Sequence, residues 1–215
     1  MRERIFPFTG QIPEGKKKDF DSVLDYYGLT AFFFGEISNS YDVSKAEVIQ
    51  PYNKEVEVTR TGKKVQLRKN DTSDDNFVYL RPSLDVSGDG AFWKVTVLDQ
   101  VSYLFMGIIN NLNPGKKISE RDETSYGWRN DSYAFIKGKQ VAQDGWTFFE
   151  DGECLYFHLT TTQLTMYSDK KNRTFVIDIE SDNAPTYIHI NMFGEGTELS
   201  IEPLCDDFSV FDITT

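Results

Sequence analysis

Two carboxylates late in the chain have the spacing that a catalytic strand would need. Asp178 and Glu180 alternate with Ile177 and Ile179, so both carboxylates would point to one side of a strand. A retaining glycoside hydrolase needs an acid and a nucleophile about 5 Å apart on such a face. Val176 stands where the nucleophile should be, so one required carboxylate is missing. A solvated strand face explains Asp178 and Glu180 equally well.

The two histidines do not complete a nucleophilic site. His158 and His189 each lie within an apolar strand pattern, and His189 alternates with Ile188 and Ile190. That alternation predicts a ring pointing away from the face of the two isoleucines. Cys154 and His158 would share a strand face, but about 13 Å apart, which is too far for proton transfer. We therefore expect structural or surface roles for both histidines.

No motif for a metal or a cofactor is visible. Gly88-Asp-Gly90 lacks the ligand spacing of a calcium loop, and no glycine-rich phosphate-binding motif occurs. Cys154 and Cys205 could form at most one bridge, so a reducing compartment, the cytoplasm, is expected. The sequence thus predicts no catalytic residues, no metal and no cofactor.

Charge is distributed unevenly along the 215 residues. Residues 1–139 carry 20 basic and 20 acidic side chains, whereas residues 140–215 carry 3 basic and 14 acidic ones, so the net charge of −11 lies in the last third. Nucleic acids and anionic membranes bind clustered Lys and Arg, and these partners are not expected. No run approaches the 18 apolar residues of a membrane span.

The hydrophobic pattern predicts one helix followed by strands. Within Lys16–Tyr27 apolar residues recur at i, i+3, i+4 and i+7, which is typical of an amphipathic helix. From about residue 54, short alternating runs are separated by turn residues. Strands are predicted around residues 56–58, 65–67, 77–80, 93–97, 103–109, 133–136, 154–159, 164–167, 175–179, 187–193 and 199–201. The pattern indicates an antiparallel two-sheet β-sandwich with a short N-terminal helical extension. We divide it into an extension (1–50), the sandwich (51–205) and an acidic tail (206–215).

Four segments within residues 92–201 make this order recognisable. They are Phe92-Trp-Lys-Val-Thr-Val97, Leu104-Phe-Met-Gly-Ile-Ile109, Ser125-Tyr-Gly-Trp-Arg129 with the strand up to Gly138, and Gly152-Glu153 through Tyr167 and Phe175. In the order of these strands and of the turn residues between them, the chain resembles a SPRY domain, a sandwich of the concanavalin-like jelly-roll kind. The family is found in tripartite-motif ubiquitin ligases and in adaptor proteins. The resemblance implies a non-enzymatic protein-recognition module whose partner peptides dock on loops at one end.

The longest polar stretch between two strands is Asn110–Asp131, which could be a mobile solvated loop or a recognition loop. As a recognition loop it would hold aromatic and arginine anchors, and Trp128 would be the most exposed tryptophan. The predicted protein-binding residues are Asn111, Lys117, Arg121, Tyr126 and Arg129, together with Tyr79 and Arg81 at the end of an earlier strand.

Two alternatives stay open. A lectin-like sandwich would bind sugar on an aromatic platform, and a laminarinase-like glycoside hydrolase would use Asp178 and Glu180. The partner's charge is also open, because the predicted loop is locally basic whereas the later strands are acidic. An acidic peptide would suit the loop, and a basic peptide would suit the later strands. Oligomeric state is not predicted.

Overall fold

Alternation of apolar and polar residues produces strands in the structure, a computed structural model. It describes residues 41–51, 55–70, 76–88, 90–99, 102–112, 118–180 and 184–204. In the first hairpin, Val65 and Leu67 are buried whereas Lys64 and Arg68 are exposed. Gly62 turns this hairpin with a φ of 60°, a conformation that suits glycine.

Fourteen strands lie within the described ranges. They are β1 Glu47–Ile49, β2 Val56–Thr61, β3 Lys64–Lys69, β4 Asn76–Arg81, β5 Ala91–Asp99, β6 Leu104–Ile109, β7 Ser125–Arg129, β8 Tyr133–Ile136, β9 Lys139–Ala142, β10 Cys154–Leu159, β11 Gln163–Ser168, β12 Arg173–Asp178, β13 Tyr187–Met192 and β14 Glu198–Pro203. Short 3-10 turns occupy Val43–Lys45 and Ser119–Arg121. The predicted helix Lys16–Tyr27, Lys117, Cys205 and the tail 206–215 lie outside the described residues.

The strands form two sheets of seven, and every neighbouring pair runs antiparallel. Sheet I has the order β12-β11-β10-β5-β14-β3-β2, and sheet II has the order β1-β4-β13-β6-β7-β8-β9. Strand β6 lies in the middle of sheet II and is buried along its whole length, which confirms the prediction of a central strand. The all-β, two-sheet sandwich predicted from the sequence is therefore confirmed.

The core lies between the inner faces of the two sheets. Trp93 on β5 stacks on Phe157 of β10 with ring centroids 5.1 Å apart, and Trp128 of β7 reaches the same Phe157 from sheet II at 6.2 Å. Burial of a large apolar side chain contributes roughly 1.5–3 kcal/mol, so this cluster is a main attachment between the sheets. The expectation that Trp128 is partly exposed is wrong. The ring is fully buried because Trp128 occupies an inward position of β7.

Two segments differ from the sequence prediction. The stretch Asn110–Asp131 is not one open loop, because its last part forms the buried strand β7. In β7, Gly127 lies directly opposite Gly107 of β6, and a Cβ on either glycine would come within 2.3 Å of a backbone oxygen of the other strand. Strand β9 was not predicted, since all four of its residues are exposed and it has no apolar face.

Residues 41–49 fall within the predicted extension 1–50. Tyr41, Val43 and Ala46 are buried in the core of the sandwich. Strand β1 pairs with β4 and forms an edge of sheet II. The sandwich therefore includes residues that precede residue 51.

Candidate functional site

Loops from both sheets meet at one end of the sandwich around a pocket of about 410 Å³. Strands β4, β6, β10 and β12 end there, and β7 and β13 begin there, because antiparallel neighbours alternate in direction. The lining comprises residues 83–87, 108, 110, 126, 159–161, 179–180 and 184–186. We call this the loop-end pocket.

The floor of the loop-end pocket is apolar and belongs to the core. Ile108 and Tyr126 reach it from sheet II, and Leu159 reaches it from sheet I. All three are buried members of the hydrophobic core, so packing holds them in position before any ligand binds. Leu84 closes one side, where its backbone N–H donates to the carbonyl of Thr186 at 2.7 Å. Such a floor can accept an apolar side chain.

The rim of the loop-end pocket consists of hydroxyl and amide groups. The Thr186 hydroxyl donates to Asn110 Oδ1 at 3.0 Å, which ties the start of β13 to the end of β6. The Thr160 hydroxyl oxygen accepts from the backbone N–H of Gln163 at 3.0 Å and shapes the turn between β10 and β11. These bonds hold the loops that surround the floor.

Two carboxylates stand on the same rim. Asp85 Oδ1 accepts from the backbone N–H of Ser87 at 2.9 Å, and hydrogen bonds from the Ser87 side chain and backbone lower the pKa of Asp85. The Glu180 carboxylate accepts from Lys137 Nζ, and this bond raises the pKa of Lys137. No Lys, Arg or His is among the described residues that line the pocket.

Among the predicted binding residues that the structure describes, Tyr126 alone lines this pocket. It was predicted on an exposed loop, but it lies on β7 with only 4% of its surface exposed. Its hydroxyl accepts from the backbone N–H of Glu180 at 3.5 Å. Asn111 follows the lining residue Asn110, is half-buried, and donates from Nδ2 to Asp122 at 3.0 Å. Both are thus positioned by the fold rather than by a mobile loop.

Tyr79 and Arg81 differ in their exposure. Tyr79 was predicted at a strand end, but it lies in the middle of the β1–β4–β13 pairing and is buried. Its ring meets that of Tyr187 edge to face at 6.0 Å. Arg81 ends β4, is exposed, and holds its guanidinium 5.9 Å from the Tyr79 ring centroid. The chain then continues into residue 83, which lines the loop-end pocket, whereas Arg81 is not itself a lining residue.

Arg121 and Arg129 lie elsewhere, at a second pocket of about 400 Å³. This pocket adjoins the starting end of β6 and the finishing ends of β7 and β13, opposite to the loop-end pocket. Arg129 was expected to be an exposed anchor, yet only 7% of it is exposed. Its guanidinium lies against Tyr103, Glu120 and the Phe135 ring, and its Nε donates to Asp131. The structure therefore separates residues that the sequence had grouped in one loop.

A buried polar layer on the outer face of sheet II was not found from the sequence. The Glu120 carboxylate accepts from Asn191 Nδ2 at 2.9 Å and from the Tyr103 hydroxyl, and Arg129 Nη1 lies 3.8 Å away. Burial, followed by the effect of Glu120, raises the pKa of Tyr103. A buried carboxylate is tolerated only with such partners, so Glu120 docks the segment 118–124 on the sheet. Ile118, Arg121 and Glu123 of this segment remain exposed.

His189 belongs to the same layer, and its predicted direction away from Ile188 and Ile190 is what the structure has. Ser119 Oγ lies 2.8 Å from its Nε2 and Ser125 Oγ lies 3.3 Å from its Nδ1. Burial lowers the pKa of His189 to about 3, so the ring is neutral at physiological pH. The signal in the sequence was the alternation of His189 and Asn191 with apolar residues on a central strand.

The side chains named for the rival chemistries have the following described neighbours. Val176 is exposed on β12 between Asp178 and the strand start, and Asp178 accepts from Gln163 Nε2 at 3.0 Å. The free thiol of Cys154 lies 3.7 Å from Thr96 Oγ1, and the ring of His158 stacks on Phe92 at 4.0 Å.

Metal ligands and membrane spans were sought in the same part of the chain. Within the described ranges, no three His, Cys, Asp or Glu side chains are grouped so that they could bind a metal ion. The helices found there are too short and too polar to cross a membrane.

Solved structures with the same architecture include three informative matches. The SPRY domain of human HERC1 matches with a TM-score of 0.53 and 12% identity, over 76% of this chain and 97% of that one. The TRIM65 PSpry domain matches with a TM-score of 0.50 and 16% identity, over 79% of this chain and 95% of that one. Stonustoxin matches with 0.50 and 15% identity over 74% of this chain, which spans only 27% of the toxin chain.

No protein-family model matches the sequence, and no curated protein matches it. Identities of 12% to 16% to solved structures establish the fold alone. The chain therefore has a SPRY-type fold, as the sequence predicted.

Proposed function

We propose that this protein is a non-enzymatic recognition module that binds a protein or peptide in the loop-end pocket. The observation that carries the proposal is a pocket with a rigid apolar floor and a polar rim, built from loops of both sheets. Pockets of this kind bury an anchoring side chain and orient it with a few polar groups. The SPRY-type fold supports the proposal by analogy.

Within this proposal, Tyr126 lines the site, and Asn111 and Arg81 are one and two residues along the chain from the lining residues Asn110 and Ser83. Arg121 and Arg129 would belong to a separate contact at the second pocket. Lys117 remains a predicted contact and lies outside the described residues. Tyr79 would act through the Arg81 side chain above its ring. By its resemblance to SPRY domains, we propose that the module recognises substrates for a cytoplasmic ubiquitin ligase or serves as an adaptor.

Selection from a peptide display library on the full 215-residue chain tests the proposal. Thr161 is an exposed lining residue, so Thr161→Trp should fill the pocket without disturbing the core. We expect selected peptides to bind this variant at least about tenfold more weakly, the size of effect that a blocked anchor pocket produces. Thr61→Trp, in the exposed β2–β3 hairpin, is the matched control and should bind normally.

A glycan array run in parallel separates protein recognition from the lectin alternative. Glycan binding that Thr161→Trp abolishes, with no peptide recovered, would refute the proposal and favour a sugar-binding sandwich. Peptides that bind Thr161→Trp and wild type equally well would refute the pocket as the site.

A further inference from the structure

Both charged side chains among the described residues that line the loop-end pocket are acidic. Asp85 and Glu180 come from loops 95 residues apart in the sequence, yet both line the same pocket. The remaining rim groups are neutral hydroxyls and amides, and the described lining holds no cation. Hydrogen bonds from Ser87 favour the ionised form of Asp85 and orient its carboxylate. A ligand entering this pocket therefore meets negative charge and hydrogen-bond acceptors above an apolar floor.

The ion pair between Lys137 and Glu180 shows that the rim attracts a cation. Its ammonium group comes from the β8–β9 turn and pairs with Glu180, although Lys137 is not itself a lining residue. Both side chains are well exposed, at 42% and 77%, so water screens the pair and the contact is weak. A cation on a ligand can replace Lys137 on Glu180 at little cost. An acidic ligand would have no such partner on the lining and would be repelled by both carboxylates.

We infer that the loop-end pocket takes a basic peptide, with an apolar side chain on the floor and a neighbouring Lys or Arg at the rim, against Asp85 and Glu180. The inference rests on the proposed function and names the chemistry of its partner. It answers the question of charge that the sequence left open. The locally basic segment predicted an acidic partner, but its described cations Arg121 and Arg129 lie at the second pocket.

Two synthetic peptide pools test the inference on the full chain. Both pools have one fixed Leu, and the degenerate positions around it include Lys and Arg in the basic pool or Asp and Glu in the acidic pool. By fluorescence anisotropy we expect the basic pool to bind at least about tenfold more tightly, as charge complementarity at a rim predicts. Asp85→Asn combined with Glu180→Gln should abolish most of this difference. Lys137→Gln should leave basic-pool binding unchanged or strengthen it.

A control variant makes the same charge change at the other end of the sandwich. Asp99 ends β5 and Glu198 begins β14, and the two are partners across the strands. Asp99→Asn combined with Glu198→Gln should keep the preference for the basic pool. If this control lost as much of the preference for the basic pool as the pocket variant does, the inference would be overturned, because the preference would then follow net charge alone.

The remaining outcomes separate the inference from the proposed function. Tighter binding of the acidic pool, lost in Thr161→Trp, would overturn the basic-peptide inference and leave the pocket as the recognition site. Binding of neither pool, or binding that Thr161→Trp does not alter, would overturn both.

Discussion

His189 shows at the scale of one residue how a polar segment is held on an apolar strand. The ring is fully buried, packs on Phe105 with centroids 5.0 Å apart, and meets Ser119 and Ser125 through its two nitrogens. A neutral imidazole has one donor and one acceptor nitrogen, and each serine hydroxyl can supply the complementary group. Protonation would make both nitrogens donors and would place a charge in the interior. The residue therefore stabilises the fold only in its neutral form.

Acid should weaken the fold through His189. Its pKa is about 3 in the folded chain and about 6.5 when unfolded, so the unfolded state binds more protons between these two values. The contribution is fully present above pH 7 and is lost as the pH falls towards 3. At pH 5 we expect a loss of roughly 2 kcal/mol from the free energy of unfolding. Urea unfolding of wild type at pH 7 and pH 5 measures it.

His189→Gln removes the titration and should reduce the difference between pH 7 and pH 5, even though the variant is less stable at pH 7. His158→Gln is the control, because the ring of His158 is only half-buried and stacks on Phe92. This control should retain the wild-type pH dependence. If His189→Gln lost as much free energy of unfolding between pH 7 and pH 5 as the wild type does, groups other than His189 would cause the acid sensitivity.

At the scale of elements, sequence alternation identified the strands whose two faces meet different environments. The hairpin β2–β3 is such a case, with Val65 and Leu67 inside and charged residues outside. The same alternation did not identify β7 as a strand, because the outward side chains of β7, Ser125 and Arg129, contact a second buried layer rather than water. A polar residue there resembles a loop residue in the sequence, although in the structure it is packed and hydrogen-bonded.

The close contact of β6 and β7 should make Gly107 intolerant of any side chain. A Cβ on Gly107 would lie 2.0 Å from the Tyr126 carbonyl oxygen, so the backbone of a central strand would have to move. We expect Gly107→Ala to lower the free energy of unfolding by about 3 kcal/mol or more. Chemical denaturation at pH 7 measures it.

Gly62→Ala is the matched control for that substitution. Its Cβ would meet nothing within 4 Å, so only the positive φ of 60° opposes it, at a cost of about 1–2 kcal/mol. Equal losses in the two variants would mean that the β6–β7 contact has room to relax.

At the scale of the whole molecule, the pocket could not be predicted, because its lining comes from segments that only the fold brings together. In the sequence, Asp85 stands only three residues before the glycine-rich turn that begins at Gly88, and Glu180 belongs to the incomplete hydrolase motif. Neither pattern indicated that the two carboxylates share one pocket. Tyr126 was selected as an aromatic anchor, but on an exposed loop rather than on β7. The sequence thus predicted the sandwich and one lining residue, whereas the charge of the pocket required the fold.

The net charge of −11 should raise the association rate constant of a basic ligand. The two rim carboxylates should lower its dissociation rate constant. For the tightest peptide of the basic pool, raising the salt from 50 to 500 mM should lower the association rate constant about tenfold, because screening shortens the reach of the field. The dissociation rate constant should change much less.

Asp85→Asn with Glu180→Gln removes two of the eleven net charges, leaving −9, so the association rate constant of this variant should show a similar salt dependence. Its dissociation should be faster, since the rim contacts are gone. Stopped-flow fluorescence separates the two constants, and salt that acts mainly on dissociation would show that the attraction is local to the pocket.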